Sequence, residues 1–260
     1  MERQRMQCEE FLQQLWLDYV HLHPDLGSLD FKPSPKNAEY LVIVTLNHGP
    51  FSAEALLPTL RHFGYRCAGQ YAMADRGVLI TLLSPATPGP WLVLGELQPG
   101  TLTREPRRQL EALVNQAQHC DTRGQNLLCR GRPWPMPDWT TYQQLRQAHP
   151  LAAWLAALGP RLHHAGFDCD SLGHPLEALD QRLQQAGLIR SSDRQSGVFP
   201  VSALLDYRFY PACTRRLAFA DGDEHRIALG GIAMVQKRLS NNHERAAELL
   251  LPEHTRCAIA

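Results

Sequence analysis

Apolar positions along the chain switch between helical stripes and short runs rich in β-branched residues. Over residues 9–22 (EEFLQQLWLDYVHL), Phe11, Leu12, Leu15, Trp16, Tyr19 and Val20 fall on one helical stripe, and His23-Pro24 ends the segment. EYLVIVTLN (39–47) reads as a buried strand. The turn HGPF then leads into SAEALLPTLRHFG, a helix opened by Ser52 and closed by Gly64. YRCAGQYAM, GVLITLLSP and WLVLGELQP predict three more strands, so the order is β-α-β-β-β.

The second half repeats this order. RLHHAGFDCDSL predicts a strand and HPLEALDQRLQQAG a helix closed by Gly187. LIRSSD, PVSALLDYRFY and RRLAFADG follow, then HRIALGGIAMVQKR. EALLPTLRHFGY at 54–65 matches EALDQRLQQAGL at 177–188, an offset of 123, which is the length of a duplicated supersecondary unit rather than of a short-period solenoid. The expected fold class is α+β: one domain over 1–260, with two βαβββ modules facing each other across a cleft. The expected parts are an N-terminal helix and linker (1–36), a first module (37–100), a helical insert and linker (101–160), a second module (161–239) and a tail (240–260). The insert contributes EPRRQLEALVNQAQ, the loop RPWPMPDW and one helix over YQQLRQAHPLAAWLAALG.

Composition narrows the choice of partner. Lys+Arg 26 balance Asp+Glu 26, which argues against nucleic acid or an anionic membrane surface. No run approaches the roughly 18 apolar residues of a membrane span. The opening MERQRMQCEEFLQQLW lacks the apolar core of a signal peptide. The 7 cysteines are odd in number, scattered and free of C-x-x-C pairs, so the expectation is a reduced cytoplasm and neither a disulfide framework nor a structural zinc site.

Several stretches, in order, resemble the 2-oxoadipate dioxygenase/decarboxylase family of the vicinal-oxygen-chelate, glyoxalase-like superfamily. TLNHGPFSAEALLPTLRHFGYRCAGQY resembles its first module, and LGELQPGTLTREPRRQLEALV its S-E-L strand and the helix after it. RPWPMPDWTTYQQL, with HPLAAWLAALGPRLHHAGFD, resembles the family's R-P-W-P-x-P linker, helix and N-H-F-T strand. FADGDEHRIALGGIAMVQKR resembles its final strand. The resemblance implies a non-haem Fe(II) enzyme that oxidatively decarboxylates a 2-oxo diacid to a 2-hydroxy diacid. Such a centre needs two neutral imidazoles and one carboxylate on one face of an octahedron, with the other positions open for substrate and oxygen.

Carried over position by position, the resemblance puts the second-module histidine on His164, with His163 in the Asn place. The first-module histidine falls on Tyr40, the arginine after it on Val44, and the carboxylate of the last strand on Ala233. His164 is therefore the family-position metal ligand, or else a histidine hydrogen-bonded within the cleft; Glu96, His48 and Glu39 are weak substitute donors that could rebuild the set, with Glu96 more readily a structural salt-bridge partner or acceptor and His48 a turn residue ahead of a capped helix. Tyr40 and Arg132 are candidate substrate contacts, and Tyr40 is also placed to hydrogen-bond His164. Strand alternation sends His163 to the opposite face from His164. Trp134, beside Arg132, belongs to a rigid loop over the cleft or to a packed linker, and His225 follows a D-G turn that predicts exposure. Two functions stay open: an Fe(II) oxygenase of 2-oxo acids with a rebuilt site, or a metal-free relative that uses its cleft to bind a small carboxylate or a partner. Zn(II) or Ni(II) in place of iron is a further option within the first.

Overall fold

The computed structural model describes residues 2–117, 127–190, 204–238 and 245–250. A seven-stranded sheet organises them. Its strands are β1 (Tyr40–Leu46), β2 (Tyr65–Met73), β3 (Val78–Pro85), β4 (Trp91–Leu97), β5 (Arg161–Asp168), β6 (Leu205–Pro211) and β9 (Gly231–Lys237), in the order β2-β3-β4-β1-β5-β9-β6. β7 (Arg215–Ala218) and β8 (Glu224–Ile227) form a separate hairpin. The helices are α1 (Glu2–Leu22), α2 (Pro24–Gly27), α3 (Ala53–His62), α4 (Arg104–Val114), α5 (Trp139–Ala148), α6 (Pro150–Leu158), α7 (Cys169–Leu172) and α8 (Leu176–Gln185).

The two modules share an inner arrangement. β1 runs parallel to β4, as β5 does to β9, and each last strand pairs antiparallel with the strand outside it. The halves meet where β1 and β5 pair antiparallel, so one sheet passes through both. Parallel strands covered on both faces read as continuous apolar runs. YLVIVTL and WLVLGEL do so, and every residue of both is buried. α1 lies against β5, held by an Asp18–Arg161 ion pair at 2.7 Å and by the Tyr19 hydroxyl, which donates to the Gly231 carbonyl.

The first module follows the sequence closely, with Ser52 Oγ accepting from Ala55 N at 3.2 Å to cap α3. The second module departs from it. RRLAFADG and the start of HRIALGGIAMVQKR make the β7–β8 hairpin instead of joining the main sheet, so the second half gives that sheet three strands, not four. The hairpin is held elsewhere. Ala220 N donates to the Pro137 carbonyl (3.1 Å), Asp221 accepts from Trp139 N (3.2 Å), and the His225 ring stacks on Trp139 with centroids 3.7 Å apart. That stacking overturns the expected exposure of His225. The single helix expected over YQQLRQAHPLAAWLAALG breaks into α5 and α6, because Pro150 cannot continue a helix and His149 Nδ1 accepts from Leu151 N to start the next. Leu188–Arg190 of the expected LIRSSD strand are not in a strand; residues 191–193, residues 200–203 of PVSALLDYRFY, residue 239 of the expected second module, and 240–244 and 251–260 of the expected tail lie outside the described residues.

Candidate functional site

Side chains at paired positions of neighbouring strands point to the same face, and alternate residues along a strand share a face. Tyr40 pairs with Gly166, Gly166 with Ala233, and Ala233 with Phe209. One step along, Val42 pairs with His164 and His164 with Gly231; on the far side Val235 pairs with Tyr207. Tyr40, His164 and Ala233 therefore share one face, together with Phe209 and Tyr207. Gly166 and Gly231 form its floor. A methyl group on Gly166 would overlap the Tyr40 ring, and one on Gly231 would strike the Phe209 ring and the Tyr210 carbonyl, so these glycines make room for the aromatic layer above them.

The histidine pair owes its geometry to an irregularity. Val42 pairs with His164 but Ile43 pairs with Leu162, so His163 is an extra residue in β5. This bulge overturns the simple alternation expected from sequence. It brings His163 Nδ1 within 2.9 Å of His164 Nδ1. One of these nitrogens donates and the other accepts, so the accepting ring is neutral, and with both rings neutral the two hold opposite tautomers. Burial keeps both neutral: His163 is lowered to about 3, with His23 adding to the effect, and His164 lies well below its usual value, with His163 adding to it.

Around His164 the layer is aromatic. The Tyr40 ring meets it edge-on with centroids 6.2 Å apart, and Phe209 does so at 5.3 Å. The expected hydrogen bond from Tyr40 to His164 is not formed; Tyr40 Oη is buried with no hydrogen-bond partner among the described residues, and Tyr207 Oη is in the same state. Burial also pushes the Tyr40 phenol well above its ordinary range, so it stays protonated and is a poor anionic ligand.

The structure places the other candidate donors elsewhere. Glu96 pairs in register with Thr45, on the opposite face from His164. Its carboxylate accepts from Ala53 N (2.6 Å) and Gln98 Nε2 (2.7 Å), which holds the first turn of α3. Glu39 takes a two-pronged contact from Arg245 (2.9 and 3.1 Å) and accepts from Ala247 N (3.2 Å). His48, in the turn after β1, bonds Asn115 Oδ1 at 2.7 Å. Arg132 donates to the carbonyls of Trp134 (2.9 Å) and Ala157 (2.5 Å), and Trp134 Nε1 donates to the Ala156 carbonyl, so this loop is a packed linker. Among the described residues, no group of three His, Cys, Asp or Glu could hold a metal ion. A facial iron triad does not fit one buried imidazole, one phenol and one methyl group.

Sequence reasoning passed over Tyr207 and Phe209. Their signal was the two-residue period of LDYRFY, which puts both on one face of β6.

No family model and no curated protein matches the sequence. Solved structures do match. A candidate hydrolase from Shewanella frigidimarina superposes with a TM-score of 0.80 at 23% identity, over 91% of this chain and 95% of that one. The Oryza sativa hydroxyglutarate synthase, in complex with 2-oxoadipate, gives a TM-score of 0.77 at 16% identity, over 95% of this chain and 86% of its own. The fold is that of the hydroxyglutarate synthases. It extends to a glyoxalase superfamily protein from Ralstonia eutropha, with a TM-score of 0.68 at 16% identity over 88% and 83% of the two chains. The α+β, glyoxalase-like fold expected from the sequence is thus present, with Tyr40, His164 and Ala233 on one face of its sheet.

Proposed function

We propose that this chain takes a 2-oxo dicarboxylate of the 2-oxoadipate class as its small-molecule ligand, on the sheet face that carries Tyr40, His164 and Ala233. The supporting observation is the fold correspondence, over 95% of the chain, with a hydroxyglutarate synthase whose structure contains 2-oxoadipate. Oxidative decarboxylation at Fe(II) requires two imidazoles and a carboxylate at one centre. Glu96 and Glu39 are engaged by backbone and arginine donors away from His164, so no iron-dependent step follows from these residues.

Two positions bear on the use of a metal: Tyr40 and Ala233 stand where donors would be needed, and the Tyr40 ring lies over Gly166. One experiment tests both the ligand and the need for iron. The chain is loaded anaerobically with Fe(II) and desalted, its iron is measured by mass spectrometry, and 2-oxoadipate binding and oxygen uptake are then followed. The expected result is 2-oxoadipate binding without stoichiometric iron. About one iron per chain, lost in His164→Ala and accompanied by oxygen uptake, would restore the oxygenase. No 2-oxo diacid binding under either condition would remove the proposal.

A further inference from the structure

Buried polar groups in folded proteins nearly always find a partner, so each one that does not calls for a physical reason. Two phenols on the candidate face break the rule. Tyr40 Oη and Tyr207 Oη are both buried, and neither has a hydrogen-bond partner among the described residues. They come from opposite sides of the same floor. The Tyr40 ring lies over Gly166, the β5 residue paired with Ala233 of β9. Tyr207 stands on β6, paired with Val235 two residues beyond Ala233 and on the same face. Gly166 and Ala233 offer no side chain large enough to meet either hydroxyl.

The chemistry of the pair is one-sided. Burial raises both phenols above their ordinary range, and Tyr207 adds to the effect on Tyr40, so both remain protonated donors. A protonated phenol left without an acceptor costs free energy that an incoming oxygen would recover. We infer that the Tyr40 and Tyr207 hydroxyls form a paired donor site for an acceptor oxygen of the ligand, a keto or carboxylate oxygen, and hold it by hydrogen bonds rather than by coordination to a metal. This inference rests on the 2-oxo acid reading above and names the groups that carry it. Polar ligand sites commonly work this way, with a few placed donors on an otherwise apolar wall.

The test uses the full chain, treated with EDTA, and 2-oxoadipate titrated by calorimetry into wild type, Tyr40→Phe and Tyr207→Phe. Both substitutions keep the ring and remove only the hydroxyl. The expected result is an affinity at least about tenfold weaker in each variant. The melting temperature of each ligand-free variant should equal or exceed that of wild type, because no hydrogen bond is lost. Unchanged affinity in both variants would overturn the inference while leaving the ligand class intact. Weakening in only one would overturn the pairing. Lower melting temperatures in both ligand-free variants would also overturn it, since the hydroxyls would then serve the fold, for instance through a bound water. No binding by wild type is a different failure: it removes the ligand reading and the inference with it.

Discussion

On the face of the central sheet that carries Thr45 and Glu96, polar side chains serve the chain's own backbone: Thr45 Oγ1 donates to the Phe51 carbonyl, and Glu96 accepts from Ala53 N at the start of α3. On the opposite face, Tyr40 and Tyr207 bury hydroxyls that bond to nothing among the described residues, beside two histidines that bond to each other. The strands and register are common to both faces; the accounting of donors and acceptors is not. A carboxylate considered as a substitute metal ligand is the more fully engaged group, and a tyrosine expected to bond His164 has a hydroxyl with no partner among the described residues. Burial alone does not separate polar groups that serve the fold from those left open to a ligand.

The largest expected effect is on pH dependence, and it tests whether the histidine face is as dry as described. His163 and His23 are lowered by burial to about 3 and about 4, and His164 lies well below its usual value. Below the unfolded value of about 6.5 the unfolded chain binds protons that the folded chain refuses. Stability is therefore complete above that pH and falls as pH drops towards the folded values, by about 1.4 kcal/mol per pH unit for each fully linked histidine. Asp18 and Asp168, raised by burial, act in the opposite direction at lower pH. Urea midpoints measured from pH 8 to pH 5 should be level and then fall; a level midpoint throughout would mean that these rings are protonated in the folded chain.

The contrast between the faces sharpens with Glu96→Ala, which strips acceptors from Ala53 N and Gln98 Nε2. A loss of about 2–3 kcal/mol is expected, or roughly 5–10 °C in melting temperature for a chain of this size, with little change in 2-oxoadipate affinity. If affinity collapsed while stability held, Glu96 would belong to the site after all. Gly166→Ala comes next. Its methyl group must displace the Tyr40 ring, at a cost of about 1–3 kcal/mol by thermal denaturation. A neutral outcome would show that Tyr40 does not lie over β5. The smallest effect is expected for His48→Ala, within about 0.5 kcal/mol and without change in bound iron, because His48 makes one bond in a turn near the surface.

The stretches that made the family resemblance visible mostly work as joints of the fold. Glu96 of LGELQP holds α3, Arg132 and Trp134 of RPWPMPDW tie that loop to α6, and Asp221 of FADG receives Trp139 N at the start of α5. Such joints need particular residues at particular spacings, so they are legible as motifs in the sequence. No feature of the local pattern distinguished a capping glutamate from a ligating one. Both are carboxylates on buried strands, and only the position of α3 decides between them.

The sequence by itself determined the strands of the first module and the repeat of a strand, helix and strands in the second half. These follow from hydrophobic periodicity and from capping residues, which act over a few neighbouring positions. Only the tertiary structure decided that a bulge turns His163 back onto His164, that RRLAFADG leaves the main sheet, and that two tyrosines from opposite halves share one face of the sheet, each without an acceptor among the described residues. Each of these depends on register between strands far apart in the chain. A one-residue shift in register exchanges the two faces, and no local pattern along one strand records it.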